Sequence, residues 1–287
     1  MKDLSILIPT FNDECYGLVS SLQQQAASLG ISYEIIVADD GSSDATVISR
    51  NRAINNLPHC RLIERQQNSG RAAIRNFLVQ QSHYPWLLFI DSDMVVCRED
   101  FVKQYADIDD AQVVYGGVTI GKVTRDNLRS IYEQSKEQEH TLAKRQQSPY
   151  SDFHTANFMI RREIMLNHPF DERFRYYGYE DVLLGKLLKE HEITIKHIDN
   201  PLSFEVFETN EAFVSKTEEG LRTLHRFRDE LKDYSRLLDF VSQHKMLAIM
   251  AKYWHRIAAK WERHQLSGNT PSLTIFNLYR LGYYLQL

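Results

Sequence analysis

Cysteine is scarce in this chain of 287 residues. Cys15, Cys60 and Cys97 are odd in number and widely spaced, which excludes a secreted disulfide framework and a paired zinc-ligand motif. Such usage is expected of a protein in a reducing cytosol. Long hydrophobic runs are also missing. The first apolar stretch, residues 4–9, stops at Pro9 and is too short for a signal peptide or a membrane span, and no run of spanning length follows it. There is no basic surplus either: a formal net charge of -4 argues against nucleic acid as a general partner. Internal repeats and low-complexity tracts are absent. What remains is 43% hydrophobic and 25% charged, the composition of an ordinary globular protein with a sizeable core.

Short runs rich in branched residues, LSILIP at 4–9, YEIIVA at 33–38 and WLLFI at 86–90, alternate with stretches of helical period such as GLVSSLQQQAASLG and GRAAIRNFLVQQ. This rhythm predicts an α/β fold, a parallel sheet with helices on both faces, whose ligands bind beyond the carboxyl ends of the strands. The residues at those ends read TFND, DDGSSD, QQNSG and DSDMVV, so four loops rich in acids and amides share one edge. Then come FHTANFMIRRE, YYGYEDVLLGKLLKE and a strand candidate, ITIKHI. After Phe207 the pattern is helical to about Gln265, where SGNTP breaks it before an aromatic terminal piece.

Asp91-Ser92-Asp93 follows an apolar strand and places two carboxylates on one side of an extended segment. Together they suit a hard divalent cation shared with substrate phosphates, with Asp93 touching the metal and Asp91 nearer the ribose. In DDGSSD, Ser42, Ser43 or Asp44 is a natural helix N-cap, while Asp39 or Asp40 is free to accept a hydrogen bond from a base. Gly70 permits a tight turn that sets Arg71 in the first turn of a helix, where Arg71 or Arg75 can face a diphosphate. For Arg75 the plainer expectation is a solvated arginine on a surface helix. Glu180 and Asp181 open a helix, where carboxylates are favoured in any case. Two adjacent acids behind Tyr177, Gly178 and Tyr179 suggest more than capping, because aromatic faces and hydroxyls suit a sugar ring. Asp181 is therefore expected as the general base and Glu180 as the ligand that orients the acceptor hydroxyl.

The segments SILIPTFND, EIIVADDGSSD, NSGRAAIRN, LLFIDSDMVV, NFMIRRE and GYEDVLLG occur in the order found in inverting GT-A glycosyltransferases of family 2, which the chain resembles over residues 4–201. The GYED segment is similar to that of galactosyltransferases. The resemblance implies a Rossmann-like GT-A catalytic domain over 1–207, with a nucleotide-sugar half to about 118 and an acceptor half over 119–207. Residues 208–287 would form a helical extension. It implies a nucleotide-sugar donor, UDP-hexose or UDP-N-acetylhexosamine, contacted by Pro9, Thr10, Asn12, Asp39, Asp40, Asn68, Arg71, Asp91, Ser92 and Asn157. Mn2+ or Mg2+ would sit at Asp93, with Asp91 and Glu205 as further candidates. Tyr177, Gly178, Tyr179 and Glu180 would then form the acceptor end, taking a glycan or lipid-linked oligosaccharide of a surface polysaccharide.

Two departures from the family pattern carry meaning. None of Trp86, Trp254 and Trp261 follows an arginine, so the Gln-x-x-Arg-Trp motif of processive synthases is missing and a single transfer per encounter is expected. The histidine that many relatives place after the last core strand is also absent, and NPLSFEVFE offers Glu205 and Glu208 instead. His197, inside a strand candidate, reads as a core or surface residue. A haloacid dehalogenase-like phosphohydrolase also uses an apolar strand followed by Asp-x-Asp, but on its first strand rather than its fourth. A carbohydrate-binding protein that lost the reaction is the other alternative. Residues 221–264 carry ten Lys or Arg against five Asp or Glu, with Trp254 and Trp261 among them. That mixture suits either a packed helix with a basic face in water or peripheral attachment at the inner face of a membrane.

Overall fold

The computed structural model describes residues 3–121 and 123–287. Its first half alternates strand and helix: β1 (Leu4–Thr10), α1 (Tyr16–Ala27), β2 (Tyr33–Asp39), α2 (Ala45–Asn51), β3 (Cys60–Glu64), α3 (Arg71–Gln81) and β4 (Trp86–Ile90). A middle region follows with β5 (Met94–Val95), α4 (Phe101–Ala106), β6 (Val113–Tyr115), β7 (Val118–Ile120), α5 (Leu128–Glu137), α6 (Leu142–Gln147), β8 (Asn157–Arg161) and α7 (Arg162–Asn167). Then come α8 (Glu180–Glu190), β9 (Ile195–His197) and β10 (Leu202–Phe204), and the chain ends in α9 (Asn210–Arg226), α10 (Arg236–Gln243), α11 (Lys245–Ser267) and α12 (Leu273–Tyr284).

Seven strands form the central sheet in the order β3-β2-β1-β4-β8-β6-β9. β1 through β4 are mutually parallel; β8 runs antiparallel to both β4 and β6, so the sheet is mostly rather than wholly parallel. A second sheet, β5-β10-β7, has no counterpart in the sequence reading, because two- and three-residue strands carry no periodicity. The strand order reverses between β1 and β4, and a reversal leaves a crevice at the carboxyl ends of those two strands.

Side-chain alternation explains why the strands read as continuous apolar runs. Leu4, Ile6, Ile8, Leu88 and Ile90 pack on one face with Leu18, Val19 and Leu22 of α1 and Phe101 and Val102 of α4. Leu7, Ile36, Leu87 and Phe89 pack on the other with Ala72, Ile74 and Leu78 of α3. A sheet covered on both faces has no polar side to show. The helical end of the chain shares two cores with the rest. Phe174 and Leu183 pack with Leu221, Leu224, Phe227 and Leu231, and Leu128 of α5 packs with Phe213, Leu266, Phe276 and Tyr279. The terminal piece after the SGNTP break is itself helical, α12, and Ser272 caps it at the Ile275 amide.

Candidate active site

The loops at the ends of β1 and β2 are tied to one another by their own polar side chains. Asn12, in a left-handed backbone conformation, accepts hydrogen bonds from the Ser43 and Asp44 amides, and Thr10 donates to the Asp13 carbonyl. Asp39 accepts from the Ser42 amide, and Asp40 accepts from the Ser69 and Gly70 amides and pairs with Arg65. Asp44, rather than Ser42 or Ser43, caps α2, accepting from Thr46 and Val47. Gly70 is required here: its φ is +94°, and a Cβ would lie 2.3 Å from the Arg175 carbonyl oxygen. Pro9, Thr10, Asn12, Asp39, Asp40 and Asn68 thus gather at one sheet edge, outside the walls of the adjacent cavity.

That cavity, about 830 Å³, is where the other expected residues meet: Arg71, Asp91, Asp93, Tyr177, Gly178, Tyr179, Glu180 and Asp181 all line it. Arg71 reaches it from the first turn of α3, bonding Glu180 at 2.6 Å and Asp91 at 3.1 Å. Arg75, one turn later, reaches Asp91 at 2.5 Å and Glu180 at 3.5 Å. Two arginines and two carboxylates so close a square in which each acid touches both cations. Burial alone would raise the Asp91 pKa, but Arg75 and Arg71 outweigh it and hold the carboxyl below its ordinary value.

Asp93 stands outside the square. Burial, with the Asp91 charge beside it, pushes its carboxyl up to about 6, while Arg129, Arg71 and Lys216 pull the other way. Among the described residues no group of three His, Cys, Asp or Glu is arranged to hold a metal. Glu205 lines a second pocket with Thr124, Asp126 and Asn127, one residue beyond the Phe204–Met94 pair of the antiparallel β5–β10 ladder, whose register carries it toward Asp93. Glu208 pairs with Arg129 and Lys216. The donor chemistry fits a hard cation all the same, since Mg2+ and Mn2+ are commonly held by one or two carboxylates plus the oxygens of a diphosphate.

At the other end, α9 fixes the loop before α8: Tyr177 donates its amide to Glu219 and accepts at its carbonyl from Thr223. Gly178, with φ +93°, lies against Gly220 of α9, where an added Cβ would sit 3.6 Å from the Gly220 Cα. Tyr179 then enters α8 in a left-handed conformation, φ +71°, a strained choice for a residue with a side chain. The turn sends the two following acids in different directions. Glu180 goes into the arginine square, and Asp181 turns to the cavity and accepts hydrogen bonds from the Val182 amide and from His154 Nδ1, the latter at 3.0 Å. Burial would raise the Asp181 pKa, but His154 overcomes it and lowers the value; in return Asp181 overcomes burial to raise that of His154. His140, also in the wall, is driven by burial down to about 4 and stays neutral.

Three expectations need correction. Glu180, expected to orient an acceptor hydroxyl, is buried and paired with Arg71 and Arg75. Arg75, expected in solvent, is 1% exposed because α3 packs that side on the sheet. Asn157, expected near the sugar, is wholly buried: its amide donates to the Gly117 and Asn200 carbonyls and its oxygen accepts from Tyr105. Ser92 bonds the Asp13 carboxyl. His197, expected as a core or surface residue, is buried and bonded to the Pro149 carbonyl. The sequence reading missed Arg129, His154 and Lys216 as wall residues with charge or proton chemistry. Nothing in the local pattern marks Arg129 or Lys216, and no motif in FHTANFMIRRE marks His154 as a proton partner.

A profile described as "Glycosyl transferase family 2" matches residues 5–167. An uncharacterized glycosyltransferase of Haemophilus influenzae is 32% identical over 107 residues, 36% of this chain and 41% of that protein. Poly(ribitol-phosphate) beta-N-acetylglucosaminyltransferase TarS of Staphylococcus aureus is 31% identical over 113 residues, 38% of this chain and 19% of its own. The crystal structure of TarS in complex with UDP covers 99% of this chain and 89% of the TarS chain, with a TM-score of 0.51 at 19% identity. Mannosyltransferase PcManGT from Pyrobaculum calidifontis, in complex with GDP-Man and Mn2+, covers 99% and 84% respectively, with a TM-score of 0.53 at 13% identity. At such identities the structural likeness concerns the fold, which is GT-A. The matched stretch is less than half the length of either curated relative.

Proposed function

The chain belongs to glycosyltransferase family 2, and from that premise we propose that it moves one sugar from a nucleotide donor, UDP-hexose or UDP-N-acetylhexosamine, to a hydroxyl of a glycan or lipid-linked oligosaccharide, with inversion. The observation that carries the reading is that Asp93 and Asp181, a half-buried carboxylate open to a cation and a carboxylate open to an acceptor, line one cavity. The strand-end loops around Asp39 and Asn12 receive the base and ribose. Arg71, Arg129 and Lys216 face the leaving diphosphate, where their fixed charges stabilise the negative charge that develops. A divalent ion at Asp93, when bound, adds Lewis-acid stabilisation of that leaving group; a solved structure of the same fold, PcManGT, was crystallised with Mn2+ and GDP-Man.

Asp181 is the proton acceptor. The acceptor oxygen attacks the anomeric carbon, the carbon–oxygen bond to the diphosphate breaks with its electron pair leaving on phosphate, and the hydroxyl proton passes to the carboxylate. A single displacement inverts the anomeric centre. His154 and the Val182 amide hold one Asp181 oxygen each, so the carboxylate is oriented before substrate arrives. Glu180 acts at one remove by fixing Arg71. The phosphohydrolase alternative loses its footing, since both oxygens of Asp91, its would-be nucleophile, are engaged by arginines. A panel of sugar nucleotides with Mn2+, scored for donor hydrolysis and for transfer, tests the reading. Hydrolysis of a UDP-sugar that Asp181→Asn leaves intact while acceptor transfer is lost is the expected result; silence toward every donor overturns it.

A further inference from the structure

Helix α11 has two apolar faces, and only one is covered. Ala248, Ala251, His255, Ala258, Glu262 and Leu266 are buried toward the body of the protein, and the helix packs there on α9 and α12. Met246, Met250, Tyr253, Trp254, Ile257 and Trp261 form a second row at helical spacing on the side turned away, with Ile257 88% and Met246 80% exposed. Lone exposed apolar residues are ordinary; a row of six on one helix face is not. Lys245, Lys252, Arg256 and Lys260 run alongside it on the solvent-facing surface. The single acid of α11, Glu262, is wholly buried, bonded to His255 and to the Trp254 indole. The outward surface of α11 therefore offers cations, two tryptophans, a tyrosine and aliphatic side chains, and no carboxylate.

We propose that this row is a docking surface for an anionic lipid bilayer, with α11 lying in the plane of the interface. The chemistry fits on three counts. Tryptophan and tyrosine rings settle at the headgroup level, aliphatic side chains enter the acyl boundary, and lysines and arginines are drawn to anionic headgroups. The surface is the convex flank of one helix rather than a groove, so it suits a laterally continuous apolar medium better than a peptide. A second copy packed antiparallel would bring two cationic rows together. The row also begins where the cavity ends, because Phe240 in the cavity wall meets His244, the residue before α11, in a tilted ring contact at 4.7 Å. An acceptor sugar carried on a lipid would reach the cavity from that side. This last point rests on the transferase reading; the docking does not.

Co-sedimentation of the full chain with vesicles tests the docking without donor or acceptor. On vesicles of mixed phosphatidylglycerol and phosphatidylcholine at low salt the protein sediments and its tryptophan emission shifts to the blue. Pure phosphatidylcholine or added salt releases it. Ile257→Glu with Trp261→Glu lowers partitioning by about tenfold or more while the melting temperature stays put, as both side chains are exposed. No sedimentation at low salt, or full binding by the double variant, overturns the proposal. So does a dimer in sedimentation equilibrium that Ile257→Glu dissociates, since the row then belongs to a second copy. Loss of transfer with intact vesicle binding speaks against the catalytic reading alone.

Discussion

On the sheet side of the cavity, Asp91 and Glu180 each touch both Arg71 and Arg75, and Arg75 and Glu180 are almost wholly buried. On the helical side the polar groups are held more loosely: His154 is half-buried and keeps one bond to Asp181, and Lys216 rests over the Tyr177 ring at 4.6 Å. Rings of Tyr132, Phe213, Phe240 and Phe276 fill the rest of that wall. The sheet side is assembled before any ligand arrives, because buried opposite charges hold one another in place. The helical side presents faces and unclosed hydrogen bonds, the material from which selectivity for a ligand is made.

If that contrast is correct, substitutions on the two sides fail differently. The largest effect is expected at Asp93, which belongs to neither arrangement: Asp93→Ala, or excess chelator on the native protein, abolishes transfer, and full turnover in chelator removes the metal from the account. Asp181→Asn comes next, cutting transfer by about 10²- to 10⁴-fold while donor binding by calorimetry and the melting temperature stay close to native. A near-native rate places the base elsewhere. Arg75→Met breaks the square from inside and leaves Asp91 and Glu180 short of a partner, so it should cost about 3–5 kcal/mol in denaturant titration. A loss under about 1 kcal/mol would show that the sheet side is no more rigid than the helical one.

Two smaller effects are read from pH. His154 has its pKa raised, so its pairing stabilises the fold below the unfolded value of 6.5 and that contribution is lost as pH rises through the folded value. Losing the imidazolium charge also leaves Asp181, beside Glu133, Asp152, His140 and Arg71, a stronger proton acceptor. Transfer should therefore rise with pH through that titration, and His154→Gln should flatten the limb in a kcat/KM profile; an unchanged profile would confine His154 to packing. His140 and His197 go the other way. Both are lowered to about 4 by burial, so their contribution to stability is complete above 6.5 and is lost as pH falls from there toward 4. Melting temperatures across that interval should fall less steeply in His197→Gln, whose ring sits beside Arg145 on the sheet side.

Three of the four parallel strands, β1, β2 and β4, were readable because each is an apolar run covered on both faces, whereas β3 is half-exposed at the sheet edge; the loops were readable because polar residues are tolerated at the carboxyl ends of the strands. Asp91, Asp93 and Asp181 were readable for the same reason, as acids that a core position would not accept. The sequence could not separate Glu180 from Asp181. They are adjacent and chemically alike, and their opposite fates follow from the left-handed turn at Tyr179, which the contact between Gly178 and Gly220 of α9 supports.

The same limit covers Arg75, which was expected in solvent as the common fate of a lone arginine on a helix and is buried because Asp91 and Glu180, sixteen residues and more than a hundred residues away, converge on it. Asn157 is the reverse case, an amide beside the expected sugar site that folding turns into the core to satisfy Gly117 and Asn200. By itself the sequence determined the order of elements, the edge of the sheet that carries chemistry and the kind of chemistry there, because hydrophobic period and loop composition are local properties. Only the tertiary structure decided which carboxylates stay free, which cations face them and which face of α11 is left bare. Those depend on pairings between distant segments, where burial makes a partner obligatory and a single chain position does not reveal who it is.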